Sequence, residues 1–346
     1  MRLTAGVRIK KWYISFLSKE KKNLPEGCLF FVLLLLSFIF AIIVRLRNFL
    51  YDKKILEVSK LNKKIISVGN LSWSGSGKTS FVVSLHKRLF SDFKVASVTK
   101  GYAQDEYLLI KNEVTDVFDA KDRVGLIKKL SDSFNLFILD DGFQYRKLYR
   151  NLDIVLIKRE DLTRKIFLIP ASSFREPISS LNRADIVVIT YCGKEGFLEN
   201  RAKILKENKN LKIFYADYLP VGFLDKNKDF VPIDYFKERK FGLLTAIGYP
   251  EGFLNKLSEA GLKPGKTLVF PDHYQFGAEE LQKIENDFFR AGIEDIVITY
   301  KDYYHLNFTG SKLNYFIFRV ELKIADEEDF FKAVKEKLDI SDSLTS

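Results

Sequence analysis

The chain has 346 residues, 47% hydrophobic and 29% charged, which is enough apolar material for a buried core and excludes a disordered or collagen-like chain. Its two cysteines, Cys28 and Cys192, form no disulfide framework, and no Cys/His spacing supports a zinc site. The net charge of +11 is local: residues 1–64 carry a balance of +10 and the remaining 282 residues +1, so no nucleic-acid partner is expected.

The basic N-terminal segment, 1–27, leads into Cys28–Val44, 17 residues with no charge and a single Ser. As a helix this run reaches about 26 Å, short of the roughly 30 Å hydrocarbon core. Arg45 and Arg47 can snorkel and extend it, and Lys19, Lys21, Lys22, Lys53 and Lys54 flank it. We read 28–50 as a membrane anchor in preference to a buried soluble helix or a cleaved signal peptide. The run starts late and no A-x-A site follows. The flanking charge is too even to choose between a span and insertion along the surface.

Beyond the anchor, apolar strand-like runs alternate with amphipathic stretches. Lys64–Val68 reads as a strand, Thr79–Phe90 as a helix, Val95–Val98 as a strand, Arg123–Leu130 as a helix and Leu136–Leu139 as a strand ending in Asp140-Asp141. Ile154–Ile157 and Ile186–Ile189 read as further buried strands. Pro220–Lys240 mixes Pro, Gly and charge and reads as a connection; Phe241–Ile247, Thr267–Phe270 and Asp295–Thr299 read as strands, with Glu279–Ala291 helical. The expected architecture is α/β: a parallel-sheet domain over 51–222, a linker over 223–240, a second, smaller α/β domain over 241–335 and a polar tail over 336–346.

Gly69–Thr79 reads GNLSWSGSGKT between a strand and a helix, the context of a P-loop. Backbone amides of Ser74, Gly75, Ser76 and Gly77 are expected to approach phosphate oxygens at a helix N-terminus, Lys78 to reach the β- and γ-phosphates, and the Thr79 hydroxyl to hold Mg²⁺. In the consensus spacing the first glycine falls on Ser72. Asp140, at a strand end, suits a Walker B carboxylate. Thr299-Tyr300-Lys301-Asp302 has the letters of a guanine motif in the wrong spacing, so guanine specificity is discounted.

The order of the remaining motifs is similar to that of the tetraacyldisaccharide 4′-kinase family, the lipid A kinases of Gram-negative inner membranes. The resemblance rests on VGNLS…GKT at 68–79, KGY at 100–102, DDGFQ at 140–144, LIPA…REP at 168–177, LNRAD at 181–185, DH at 272–273 and Thr299, Lys301 and Asp302 as a T-x-K-D element. It implies a P-loop NTPase-type domain with a second domain and a membrane helix. It also implies ATP and Mg²⁺ as cofactors, and transfer of the γ-phosphoryl group to the 4′-hydroxyl of a tetraacylated glucosamine disaccharide 1-phosphate. The partners are then this lipid A precursor and membrane lipids, with no obligate protein partner, and the body sits on the cytoplasmic face of the inner membrane. The chain departs from the family pattern at Ser74, Ser80, Lys100, Tyr145 and Ser172-Ser173, and the segment after Gly101-Tyr102 is short.

By the same resemblance, Asp105 and His273 act on the acceptor hydroxyl together with Lys78, and Glu106 and Asp141 join Thr79 and Asp140 around the metal. Arg123 and Arg175 are candidates for phosphate contacts, because guanidinium forks suit phosphate oxygens. Gln144 and Lys100 shape the nucleotide or acceptor pocket. His86 reads as structural, and Lys301 and Asp302 can be a tie at a strand end. Two alternatives stay open from residues alone: a membrane-tethered P-loop ATPase acting on a protein or transport partner, and a nucleotide-binding scaffold without turnover.

Overall fold

Helix α1 runs from Leu24 to Asp52, longer than the apolar run at both ends. Asn23 and Glu26 cap it reciprocally and Pro25 sits in its first turn, where a missing N–H costs no intrahelical bond. The structure, a computed structural model, describes residues 12, 13, 15–17, 19, 22–73, 75–101, 104–163, 166–192, 204, 208, 211–272, 274–306, 308 and 310–343, without the side chains of 104, 105 and 339–343. Of the expected site residues, Ser74, His273 and the Asp105 side chain lie outside the described part, as does most of the basic segment.

The chain forms two compact units, one of Ser15–Asp217 with Lys323–Ser346 and another chiefly of Tyr218–Leu322. In the first, seven strands pair in the order β7-β6-β5-β1-β4-β2-β3. They are β1 (Lys64–Asn70), β2 (Val95–Thr99), β3 (Val117–Asp119), β4 (Leu136–Asp140), β5 (Leu152–Lys158), β6 (Ile186–Thr190) and the start of β7 (Lys212–Leu224). Every neighbouring pair is parallel. Parallel strands need helical crossovers and are covered on both faces, which is why they read as unbroken apolar runs. The crossovers include α2 (Lys78–Leu89), α3 (Gln104–Glu113) and α4 (Arg123–Leu130). Strand β1 lies between β4 and β5, so the residues leaving its C-terminal end meet those leaving β4.

The other unit has a parallel set β10-β9-β11-β12, from β9 (Phe241–Thr245), β10 (Lys266–Val269), β11 (Asp295–Ile298) and β12 (Asn314–Ile324). The stretch expected to be a linker is built into it. Strand β7 continues to Leu224 and pairs antiparallel with β8 (Phe230–Val231). Phe223 and Phe236 are buried in a core with Phe241, Phe316 and Phe318. Aromatic rings, invisible in an average over so polar a stretch, hold it down.

The expected tail is also structured. Helix α5 spans Glu327–Ser343 and returns to the first unit, where Phe330 stacks edge-on against Phe81 and Phe214. Phe330, Phe331, Val334 and Leu338 form its buried stripe.

Candidate active site

The phosphate loop leaves β1 at Asn70 and enters α2 through Gly77, whose φ of 81° is a left-handed conformation that favours glycine. Ser76 is buried, takes a hydrogen bond from Asn70 Nδ2 at 3.0 Å on its hydroxyl, and its carbonyl accepts from Thr190 Oγ1 at 3.3 Å. These bonds hold the loop against β1 and β6. Gly69 permits a second close approach, since a Cβ there would lie 2.4 Å from Phe143 Cβ. Lys78 and Thr79 open the helix, where unsatisfied N–H groups and the dipole favour an anion.

Next to this loop, β4 ends at Asp140 opposite Val68. Asp141 follows with φ of 51° and is the point on which the site's cations converge. Arg175 grips it with both nitrogens, Nη1 to Oδ2 at 3.0 Å and Nη2 to Oδ1 at 2.8 Å. Lys78 Nζ lies 3.6 Å and Lys100 Nζ 3.4 Å from its carboxylate, and Arg123 Nη1 donates to its carbonyl at 3.4 Å. Burial alone would raise the Asp141 carboxyl, but Lys78, Arg175 and Lys100 outweigh it and hold it well below the usual range. Burial would likewise lower Lys100; Asp141, Glu106 and Asp140 reverse that and keep the ammonium charged.

Asp140 stands in the opposite environment. Burial, then the neighbouring Glu106 and Asp141, push it up to about 7 against the pull of Lys78 and Lys100. Its Oδ1 is buried with no hydrogen-bond partner among the described residues, as suits an oxygen open to a cation. Glu106, on α3, lies 3.2 Å from Lys100 Nζ. Hydroxyl and carboxylate oxygens suit magnesium, which takes one or two carboxylates and completes its shell with water and phosphate. Among the described residues no group of three or more His, Cys, Asp or Glu surrounds a common point. The Asp140 oxygen with Glu106 beside it, and the Thr79 hydroxyl at the opening of α2, have the donor chemistry of a magnesium carried in with a nucleotide. Asp141 was expected beside them, but both its oxygens are occupied by Arg175.

The structure thus brings together Lys78, Lys100, Glu106, Arg123, Asp140, Asp141 and Arg175, and adds Gln144, whose Nε2 donates to the Asn70 carbonyl at 2.9 Å. Three contributors escaped the sequence reading. Asn70 ties Ser76 to Arg175, which reaches its Oδ1 at 2.5 Å. Asp119 accepts from the Gly101 N–H at 2.7 Å and from Thr99 Oγ1, shaping the turn that presents Lys100. Glu176, beside Arg175, is fully buried among Arg47, Asn48, Ser180 and Arg183. Asn70 and Glu176 stood inside strings quoted above, but a string does not say what a side chain touches.

In the other unit Lys301 Nζ pairs with Asp272 Oδ1 at 2.7 Å. Asp302 is buried and accepts from Thr245 Oγ1, the Ala246 N–H, and the N–H and hydroxyl of Thr299. Burial raises its carboxyl and these bonds partly offset the rise.

Comparison with known proteins matches residues 29–106 and 103–339 to a family model, LpxK, described as tetraacyldisaccharide-1-P 4′-kinase. The tetraacyldisaccharide 4′-kinase of Aquifex aeolicus is 33% identical over 321 residues, covering 83% of this chain and 98% of that protein. The enzyme of the same name from Halothermothrix orenii is 26% identical over 375 residues, covering 94% and 97%. A crystal structure titled as the "apo" form of LpxK from Aquifex aeolicus in complex with ATP superposes with a TM-score of 0.69 at 32% identity, over 90% of this chain and 99% of that one.

Proposed function

The chain belongs to the tetraacyldisaccharide-1-P 4′-kinase family, and from that premise we infer that it transfers the γ-phosphoryl group of ATP to the 4′-hydroxyl of a tetraacylated glucosamine disaccharide 1-phosphate in lipid A biosynthesis. The observation that carries the reading at the level of chemistry is the convergence of Lys78, Lys100 and Arg175 on Asp141 beside a phosphate loop. Three cations gathered on one carboxylate form a ready site for the more highly charged triphosphate. The alternative of a tethered ATPase serving a protein partner is not favoured.

In the transfer, the bond between the γ-phosphorus and the β–γ bridging oxygen breaks and a bond from the 4′-oxygen forms. ADP leaves with the electron pair, and the hydroxyl proton passes to a base. The amides around 75–79 and Lys78 hold the phosphates, and Arg175 and Lys100 meet the charge that builds on the transferring group. Thr79, Asp140 and Glu106 would hold magnesium, which would supply charge neutralisation at the phosphates. Resemblance supports Asp105 and His273 as the pair that takes the proton, and Arg123 and Gln144 as contacts to nucleotide or acceptor.

The family and α1, a helix long and apolar enough to cross a membrane, make this a membrane-associated chain. We further propose that α1 lies along the membrane surface, with the body on the cytoplasmic face of the inner membrane where ATP is available. One side of α1 is docked on the body over most of its length. The docking contacts are Phe30 on Phe167, Ser37 on Leu168, Phe40 and Ala41 on the core, Asn48 on Glu176 and Asp52 on Arg146. A span would draw the charged groups this side touches, Glu176 and Arg146 among them, into the hydrocarbon core, where charge is costly. The free side carries Phe31, Leu35, Phe38, Ile39, Ile42, Ile43, Leu46 and Phe49, all exposed. Such a face fits membrane lipids and the acceptor's acyl chains, and nothing in the reading calls for nucleic acid or an obligate protein partner.

The test is transfer of radiolabel from γ-labelled ATP to the disaccharide 1-phosphate in micelles. Labelled 1,4′-bisphosphate product is expected. ATP hydrolysis independent of the acceptor would overturn the reading.

A further inference from the structure

The anchor helix touches one loop twice. Ser37 Oγ donates to the Leu168 carbonyl at 2.7 Å and accepts from its N–H at 3.1 Å. Eleven residues on, three turns along the same face, Asn48 Nδ2 donates to Glu176 Oε2 at 2.9 Å, and Arg47 Nη2 reaches Oε1 at 2.6 Å. Buried Val44 lies between them. The loop so clamped, Leu168 to Glu176, is also stapled to the opening of the phosphate loop. Arg175 N–H donates to the Leu71 carbonyl at 2.7 Å, Trp73 N–H donates to the Ser173 carbonyl at 3.0 Å, and Ser72 bridges Phe174. Its last two residues divide the work. Arg175 faces Asp141 and Asn70, while Glu176 takes Arg47, Asn48, Ser180 and Arg183.

Resting on the kinase reading above, we propose that Arg47 and Asn48 of the anchor helix, acting through Glu176, are positioning residues for Arg175 and the mouth of the phosphate loop. The helix that holds the chain at lipid is then part of the scaffold of the catalytic site. Membrane attachment and the placement of a phosphate-binding guanidinium are coupled through one buried carboxylate. Glu176 cannot move alone: four side chains bond its two oxygens, and the N–H groups of residues 175 and 176 share the Leu71 carbonyl.

The test uses full-length protein in detergent micelles with Mg-ATP and the disaccharide 1-phosphate, comparing Arg47→Met, Arg47→Lys, Arg175→Ala and the double variant Arg47→Met/Arg175→Ala. Arg47→Met is expected to lower kcat/KM about tenfold and to shift the same kinetic constant as Arg175→Ala. Arg47→Lys should recover most of that loss. On the Arg175→Ala background Arg47→Met should cost less than about twofold, because the route ends at Arg175. Micelle partition should be unchanged. Wild-type constants for Arg47→Met, or costs that simply multiply in the double variant, would overturn the proposal. Should Arg47→Met fail to fold, Asn48→Ala, which keeps the charge pair, must give the same non-additive pattern at smaller amplitude. If the wild-type protein leaves the acceptor unlabelled, the kinase reading fails instead. The coupling is then judged on affinity for a fluorescent ATP analogue, which Arg47→Met must weaken and Arg175→Ala must mask.

Discussion

Lys78, Asp140 and Asp141 show how one strand end separates roles among neighbouring charges. Asp141 is kept ionised by three cations, whereas Asp140, one residue earlier and more deeply buried, is pushed up to about 7. Removing Lys78 leaves Asp141 with Arg175 and Lys100, so no buried charge is orphaned. Lys78→Ala is therefore expected to reduce transfer by about 10³-fold or more with little change in melting temperature. Undiminished product from that variant would refute the loop assignment. Asp302 behaves oppositely. It is read from sequence as a possible tie at a strand end, and in the structure it satisfies Ala246, Thr245 and Thr299. Asp302→Ala strands those donors and is expected to cost about 2–3 kcal/mol in urea unfolding of the full-length protein. Lys78 was legible because its chemistry is local, set by the turn into a helix. Asn70 was not, because Arg175, which it meets, stands 105 residues further along the chain.

Among elements, the loop from Leu168 to Glu176 illustrates how far position can differ from sequence spacing. Glu176 lies 128 residues from Asn48 and is bonded to it. Burial would raise its carboxyl, but Arg183, Asn48 and Arg47 outweigh it and hold it below the ordinary value. The sign follows: a lowered folded-state value means the ionised group's stabilisation is fully present above the unfolded value of about 4.5 and is lost as pH falls through the lower folded one. Glu176→Gln is expected to destabilise the protein by roughly 3 kcal/mol at pH 7, with the gap to wild type closing below about pH 4.5 in thermal melts. A gap independent of pH would show that shape rather than charge accounts for the loss. The strands either side of this loop were readable because both faces of a parallel sheet are covered, which leaves an unbroken apolar run. The loop's own hydrogen bonds leave no periodicity to read.

At the scale of the whole molecule, α1 has two faces with different tasks. Phe38, Ile42 and Leu46 are about half exposed, while Ser37 and Val44 are buried against the body. Replacing Phe38, Ile42 and Leu46 by Ser is expected to weaken membrane partition by roughly 3 kcal/mol, about a hundredfold, with an unchanged melting temperature. Membrane binding as strong as wild type in a flotation assay would show that lipid is held elsewhere. Deleting residues 1–50 would confound the question, since it also strips Arg47 and Asn48 from Glu176. The sequence alone determined the α/β class, the phosphate loop and the apolar stem, because each depends on neighbours within a few residues: strand runs, a glycine turn into a helix, an uncharged stretch. Only the tertiary structure decided that the presumed linker is core, that the tail is a helix returning to the first unit, and that the stem docks sideways on the body. Those outcomes depend on which rings and charges meet once the chain has folded, and such contacts leave no periodic pattern in the sequence.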